Sequence, residues 1–334
     1  MAETITTAKE LARMYMDADP FIPCFVEGPP GVGKSEMWKQ LANEKGIGFI
    51  DLRLAQMDPV DLRGLPKHEG SLTTWSRPDF WPDEKRDGKK GIILFDELAD
   101  SSRAMQSAAY QIILDGRAGP HVIPSGWYRA AAGNRREDRA AAQAISTALA
   151  TRFAWIEVEA DVECFLDHAA RQSFHHYVMG YLRARPGHVF TMEGANSKTF
   201  ACPRQWERVS RICYMEPPME MLYKLVRGLV GEGVAGEFHA AIKTFNLPDL
   251  EDILKNPSKC MIPSAPAEKY ALSAMLARYA ERSNIKAIMT YIKREQFGRD
   301  FEICCVLDAT KRDATLCETG AFTDFANRNK DIQL

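Results

Sequence analysis

The octapeptide GPPGVGKS, residues 28–35, constrains this chain more than any other stretch. It fits the pattern G-x-x-x-x-G-K-[ST], a loop that wraps phosphate groups. Such a loop works where a strand ends and a helix begins. There, glycines free the backbone to turn N–H groups and a helix N-terminus toward an anion. The flanks agree: residues 21–26, FIPCFV, predict a buried strand, and residues 36–44 predict an amphipathic helix. Gly28, Pro29, Pro30, Gly31, Val32, Gly33, Lys34 and Ser35 are therefore the candidate nucleotide-binding residues. Lys34 is expected to reach β- and γ-phosphates, and the Ser35 hydroxyl to bind Mg²⁺.

Further segments carry the chemistry such a loop needs. Residues 91–95, GIILF, predict a buried strand ending in Asp96-Glu97. Asp96 would position Mg²⁺ through a water, and Glu97 would polarise the attacking water as general base. Residues 127–132 predict a strand that runs into Gly133-Asn134. A carboxamide at that tip would orient the same water and sense the γ-phosphate; the plain alternative is an Asx turn. Arg152 precedes a predicted strand over 153–158. It would be too far from its own loop but could reach the γ-phosphate of a neighbouring copy as an arginine finger. Arg135, Arg136 and Arg139 are rivals for that role. Arg204, in CPRQW, opens a helix after Pro203 and could bend over bound nucleotide, coupling its state to the domain angle.

Elsewhere, Thr7-x-x-Glu10 predicts a capped helix, and residues 47–54 a second strand. Residues 58–82 predict a hairpin or inserted loop, and 116–125 another hairpin. Residues 101–114 predict a helix capped by Ser101, and 139–150 an Ala-rich helix. Strands alternating with helices mean a parallel sheet with helices on both faces. After about residue 160 only helical patterns remain. Two domains follow: 1–160, α/β and nucleotide-binding, and 161–334, helical.

Lys and Arg total 43 against 45 Asp and Glu, a net charge of −2, so no global positive field recruits nucleic acid or an anionic membrane. The start MAETITTAKE lacks a signal-peptide pattern, and no run approaches a membrane span. Eight cysteines without C-x-x-C spacing read as core thiols in a reducing compartment, so a cytoplasmic location is expected. His168, His175 and His176 read as surface or capping residues rather than zinc ligands.

Taken together, GPPGVGKS, DPVDLRGLP, IILFDE, AAGN, ALATRF and CPRQW resemble the AAA+ ATPases and, within them, the MoxR family. DPVDLRGLP and the hairpin after it look like the insert in the second helix that marks that branch. The resemblance covers residues 1–230 best; the remainder is similar to the extended lid of MoxR-like ATPases associated with von Willebrand A-domain proteins. The fold implied is an α/β AAA+ P-loop NTPase, a parallel sheet flanked by helices, followed by an all-α lid. Also implied are ATP and Mg²⁺ as ligands, a homo-oligomeric hexameric ring with ATP at subunit interfaces, and a von Willebrand A-domain protein as client. Asp96-Glu97 then fit Walker B, Asn134 the first sensor, Arg152 the finger and Arg204 the second sensor. The chain departs from the family in having RRED after Asn134. A nucleic-acid-acting motor on the same frame is the alternative, weakened by the acidic balance. A GTPase-like switch or small-molecule kinase lacks a guanine signature and leaves Arg152 and Arg204 without roles.

Overall fold

The computed structural model describes residues 2–135, 145, 147–192 and 199–331. The chain divides into two compact units, Met1–Asp161 and Val162–Leu334. In chain order the first contains α1 (Ile5–Asp17), β1 (Cys24–Glu27), α2 (Lys34–Lys45), β2 (Gly48–Arg53), α3 (Pro59–Arg63), β3 (Pro66–Glu69), β4 (Leu72–Trp75) and β5 (Gly91–Asp96). It continues through α4 (Arg103–Asp115), β6 (Arg117–Ala118), β7 (His121–Val122), β8 (Trp127–Gly133), α5 (Thr147–Ala150) and β9 (Ala154–Glu157).

Five strands form one parallel sheet in the order β2-β5-β8-β1-β9. The inner strand β5, between β2 and β8, is buried along its whole length, which explains its unbroken apolar run. Its side chains alternate between two cores. Ile92 and Leu94 join Ala8 and Ala12 of α1 and Trp38 and Leu41 of α2. Ile93 and Phe95 join Leu62 of α3 and Met105 and Ile112 of α4. Period-two alternation thus covers both faces with helices, the α/β P-loop fold that the strand–loop–helix pattern predicts.

Local chemistry shifts several expected boundaries. The first helix is capped by Thr4, whose hydroxyl accepts from Thr7 N–H at 3.2 Å, so it begins ahead of the predicted Thr7 box. Ser102, not Ser101, caps α4 by accepting from Met105 N–H. Ser101 is buried and donates to the Leu98 carbonyl at 2.8 Å, so the next serine takes the cap. In the 58–82 segment Pro59 starts the short α3, and the Asp61 carboxylate accepts from Asp58 N–H at 2.8 Å. The antiparallel hairpins β3–β4 and β6–β7 follow at their predicted positions. Of the helix predicted over 139–150, Thr147–Ala150 is helical; Arg136 and Arg139 lie outside the described residues.

The second unit is helical throughout its described residues. Its helices are α6 (Val162–Arg171), α7 (His176–Ala184), α8 (Pro203–Cys213), α9 (Met219–Val230), α10 (Glu232–Lys243), α11 (Leu250–Lys255), α12 (Pro266–Tyr279), α13 (Ile285–Ile292), α14 (Arg299–Arg312) and α15 (Gly320–Arg328). Two cores flank α12, which is buried from Ala271 to Ala277. Ala274 enters one with α6–α10; Leu272 and Leu276 enter the other with α13 and α14. A helix apolar on all sides belongs inside. Close approach to α7 is possible because residue 180 is glycine: a Cβ there would stand 2.5 Å from Ala271 Cβ.

One ion pair ties α7 to α14. Arg183 Nη1 and Nη2 donate to the two Asp308 oxygens at 2.7 and 2.8 Å, with both side chains largely buried. Burial, the largest influence on the guanidinium, pulls its pKa down, but Asp308, with Cys304 and Glu163 nearby, holds it well above its ordinary value. Arg183→Ala would strand the Asp308 carboxylate, and the expected cost is about 3–5 kcal/mol. Urea denaturation of the full-length variant, followed at the transition of the second unit, checks this.

The histidines predicted to be surface or capping residues divide. His175 caps α7, accepting from Tyr177 N–H at 3.2 Å, but it is buried and stacks on His176 with ring centroids 4.1 Å apart. Burial first, then the neighbouring His176 and Arg278, push the His175 imidazole down to about 3. None of the eight cysteines is in a disulfide. Among the described residues no helix is long and apolar enough to cross a membrane.

Candidate active site

The phosphate loop leaves β1 after Glu27, whose register partners are Gly133 on β8 and Glu157 on β9. Asp96 ends β5, and Phe95 before it lies opposite Ala131 of β8. The carboxyl ends of β1, β8 and β5 therefore stand side by side. From β1 the chain crosses to the far edge strand β2, while β9 lies on the other side of β1. Open parallel sheets bind ligands in the crevice at such a reversal.

Two features shape the loop. A Cβ at Gly28 would stand 2.5 Å from the Val158 carbonyl oxygen, so the chain passes there only as glycine. Gly31 and Gly33 have φ of 81° and 106°, a region open to glycine at little cost. Gly33 is the N-cap of α2, so the first-turn N–H groups of that twelve-residue helix face out of the loop.

Lys34 is buried, 8% exposed, and its ammonium hooks back over the loop. It donates to the carbonyls of Gly28 and Pro29 at 2.7 and 2.9 Å and to Asn134 Oδ1 at 3.0 Å. Next to it Ser35 Oγ donates to Asp96 Oδ2 at 2.5 Å, and Asp96 Oδ1 accepts from Glu97 N–H at 2.9 Å. Hydroxyl and carboxylate oxygens are the hard donors Mg²⁺ takes, usually one or two from protein with water and phosphate completing the shell. Ser35 and Asp96 fit that set. Among the described residues no cluster of three His, Cys, Asp or Glu side chains could hold a metal unaided.

Glu97 has φ 57° and ψ 28°, a left-handed conformation that costs a non-glycine residue roughly 1–2 kcal/mol. The tight turn over Leu98–Asp100 follows, and it returns Asp100 to the site. There Asp100 Oδ2 accepts from Asn134 Nδ2 at 3.0 Å. Burial, its largest influence, raises the Asp100 carboxyl above its ordinary pKa, and the Asn134 hydrogen bond and the Lys34 charge oppose the rise. Asp51 on β2 is raised likewise, by burial first and then by the Asp96 charge. Sequence reasoning singled out neither Asp100 nor Asp51. The one available signal was the acidic spacing Asp96-Glu97-Leu98-Ala99-Asp100.

The candidate arginines are dispersed. Arg135 lies at the loop edge of the sheet, paired with Glu157 at 3.1 Å and Glu159 at 3.8 Å. Arg152 lies at the other edge: it precedes β9, whose first residue Ala154 is opposite Cys24 at the start of β1. The four-residue β1 separates that edge from the loop by about 13 Å. Arg152 bonds Thr151 Oγ1 at 3.0 Å, and its guanidinium stands 4.9 Å over the Tyr110 ring. Arg204 is the exposed second residue of α8, after Pro203 at the first helical position. The basic connector over 85–90 carries its own carboxylates: Arg86 pairs with Asp87 at 2.7 Å, and nearby Arg77 with Asp83 at 3.6 Å.

No family model and no curated protein matches the chain. Solved structures resemble it distantly. The RuvB Holliday junction branch migration motor of Thermotoga maritima is 15% identical, with 76% of this chain and 75% of that chain covered and a TM-score of 0.39. NtrX from Brucella abortus in complex with ADP is 14% identical, with 95% of this chain and 68% of that chain covered and a TM-score of 0.39. The same protein in complex with ATP is 12% identical, with 89% and 66% covered and a TM-score of 0.41. Sheet order, register and the geometry of the loop make the first unit an α/β P-loop fold, followed by a helical C-terminal unit.

Proposed function

We propose that this chain is an ATP-hydrolysing AAA+ ATPase of the MoxR type. In this reading it works as a ring, of six copies by family resemblance, and remodels a protein client, a von Willebrand A-domain protein. One observation carries the ATPase reading: adjacent strand ends bring Lys34, Ser35, Asp96, Glu97 and Asn134 to a single crevice.

Bound MgATP would supply an electrophilic γ-phosphorus and a cation that spreads the charge of its oxygens. The first-turn N–H groups of α2 bind phosphate. Lys34 would exchange its carbonyl acceptors for phosphate oxygens, and Ser35 and Asp96 would hold the cation. Glu97 takes the proton of the attacking water at its carboxylate, and Asn134 orients that water. Arg152, at the far edge of the sheet, supports a role on a neighbouring copy's nucleotide, which a ring would supply. Arg204 is assigned to reading nucleotide state. The acidic groups interleaved in the 77–90 connector weigh against the nucleic-acid motor.

Lys34→Ala tests the binding step. It removes a charge-assisted contact worth about 1.5–3 kcal/mol, so ATP affinity is expected to fall on the order of 10–100-fold. Calorimetric titration with MgATP checks this. A wild-type chain that takes up no MgATP overturns the reading.

A further inference from the structure

The amide of Asn134 has a defined direction. On one side it meets the Lys34 ammonium, which can only donate; on the other it meets the Asp100 carboxylate, which when ionised can only accept. Its Oδ1 therefore faces Lys34 at 3.0 Å, and its Nδ2 faces Asp100 at 3.0 Å. Turning the amide over would set Oδ1 against a carboxylate and Nδ2 against an ammonium, two repulsive pairs in place of two hydrogen bonds. The second Asp100 oxygen, Oδ1, is buried without a protein partner among the described residues. The carboxylate thus spends its one protein hydrogen bond from a side chain on Asn134.

An amide oxygen on the phosphate side can accept a hydrogen bond from water. It cannot donate to a phosphate oxygen. Contacting the γ-phosphate requires the Nδ2 side of the amide; with Oδ1 turned to the loop, the amide engages a water there as an acceptor.

We propose that Asp100 is a positioning residue that fixes the Asn134 amide with its oxygen toward the phosphate loop, so that Asn134 orients the attacking water as an acceptor and does not sense the γ-phosphate as a donor. This rests on the ATPase reading above. When ATP draws Lys34 away from Asn134, Asp100 remains the group that holds the amide in this sense. Asp100 acts on the reaction through Asn134.

The test is a double-mutant cycle in the full chain, with kcat for ATP and the ATP dissociation constant measured separately. Asp100→Ala is expected to lower kcat about tenfold and leave the dissociation constant within about twofold. In an Asn134→Ala background the same substitution is expected to change kcat less than about twofold. Asp100→Asn keeps an acceptor for Nδ2 and is expected to stay within about threefold of wild type; it also serves if the alanine variant fails to fold. Unchanged kcat in Asp100→Ala overturns the proposal, as does an equal loss in both backgrounds or a weakening of ATP affinity that matches the kcat loss. In each of these cases the wild-type chain still hydrolyses ATP and Glu97→Gln does not, so the ATPase reading stands. A wild-type chain without ATPase activity overturns both.

Discussion

Glu97→Gln is expected to keep ATP bound while hydrolysing it about 10²–10⁴-fold more slowly, the range for loss of a general base. The substitution is nearly isosteric, and the left-handed backbone at position 97 is no worse for glutamine than for glutamate. The Asp96 carboxylate still accepts the N–H of residue 97, so the oxygen pair with Ser35 is retained. The signature is therefore a loss of kcat with ATP affinity within about twofold of wild type. Single-turnover hydrolysis and nucleotide titration read the two separately. Rapid turnover by the variant would contradict the base assignment. The same trapped form provides the client test: a purified von Willebrand A-domain protein should bind ATP-loaded Glu97→Gln more tightly than the ADP-loaded wild type, and equal binding counts against the remodelling reading.

Arg152→Ala is expected to bind ATP normally and hydrolyse it about 10³-fold more slowly, as loss of a charge-spreading arginine does. What singles it out is recovery on mixing. Arg152→Ala subunits keep Glu97, and Glu97→Gln subunits keep Arg152. If the arginine acts across an interface, a mixture of the two inactive variants contains sites with both groups intact and regains part of the activity. If it acts within its own chain, every site lacks one group and the mixture stays inactive. The local role of Arg152 is small by comparison. Its contact with Tyr110, at 4.9 Å, is a cation–π interaction of about 0.5–2 kcal/mol between two half-buried side chains, so the variant should remain folded. Lost ATP affinity with the oligomer intact would assign Arg152 to its own chain's site.

The parts of this site that were legible in the sequence are those whose chemistry is contiguous. Residues 28–35 carry loop and helix start together, and β5 carries its own Asp96-Glu97. Asn134 follows a strand whose near-continuous apolar run marks it as inner. Asp100 escaped because its role depends on a partner 34 residues away, and only the adjacency of the turn after β5 to the end of β8 brings the two together. The helix starts at Thr4 and Ser102 escaped for a related reason. Adjacent candidates are decided by which hydroxyl the packing leaves free, and Ser101 was already committed to Leu98. The insert after β2 was legible as a hairpin from its glycines and prolines, but its opening helix of five residues is too short to show a period.

The placement of α12 bears on how the protein can be divided. Because Leu272 and Leu276 face one apolar mass and Ala274 the other, the described residues after Tyr279 form the opposite wall of a shared interior rather than an appendage. A truncation after Tyr279 would leave that wall open to water. Any variation that trims the C-terminal helices must therefore rebuild α12 as an amphipathic surface or lose the whole second half together.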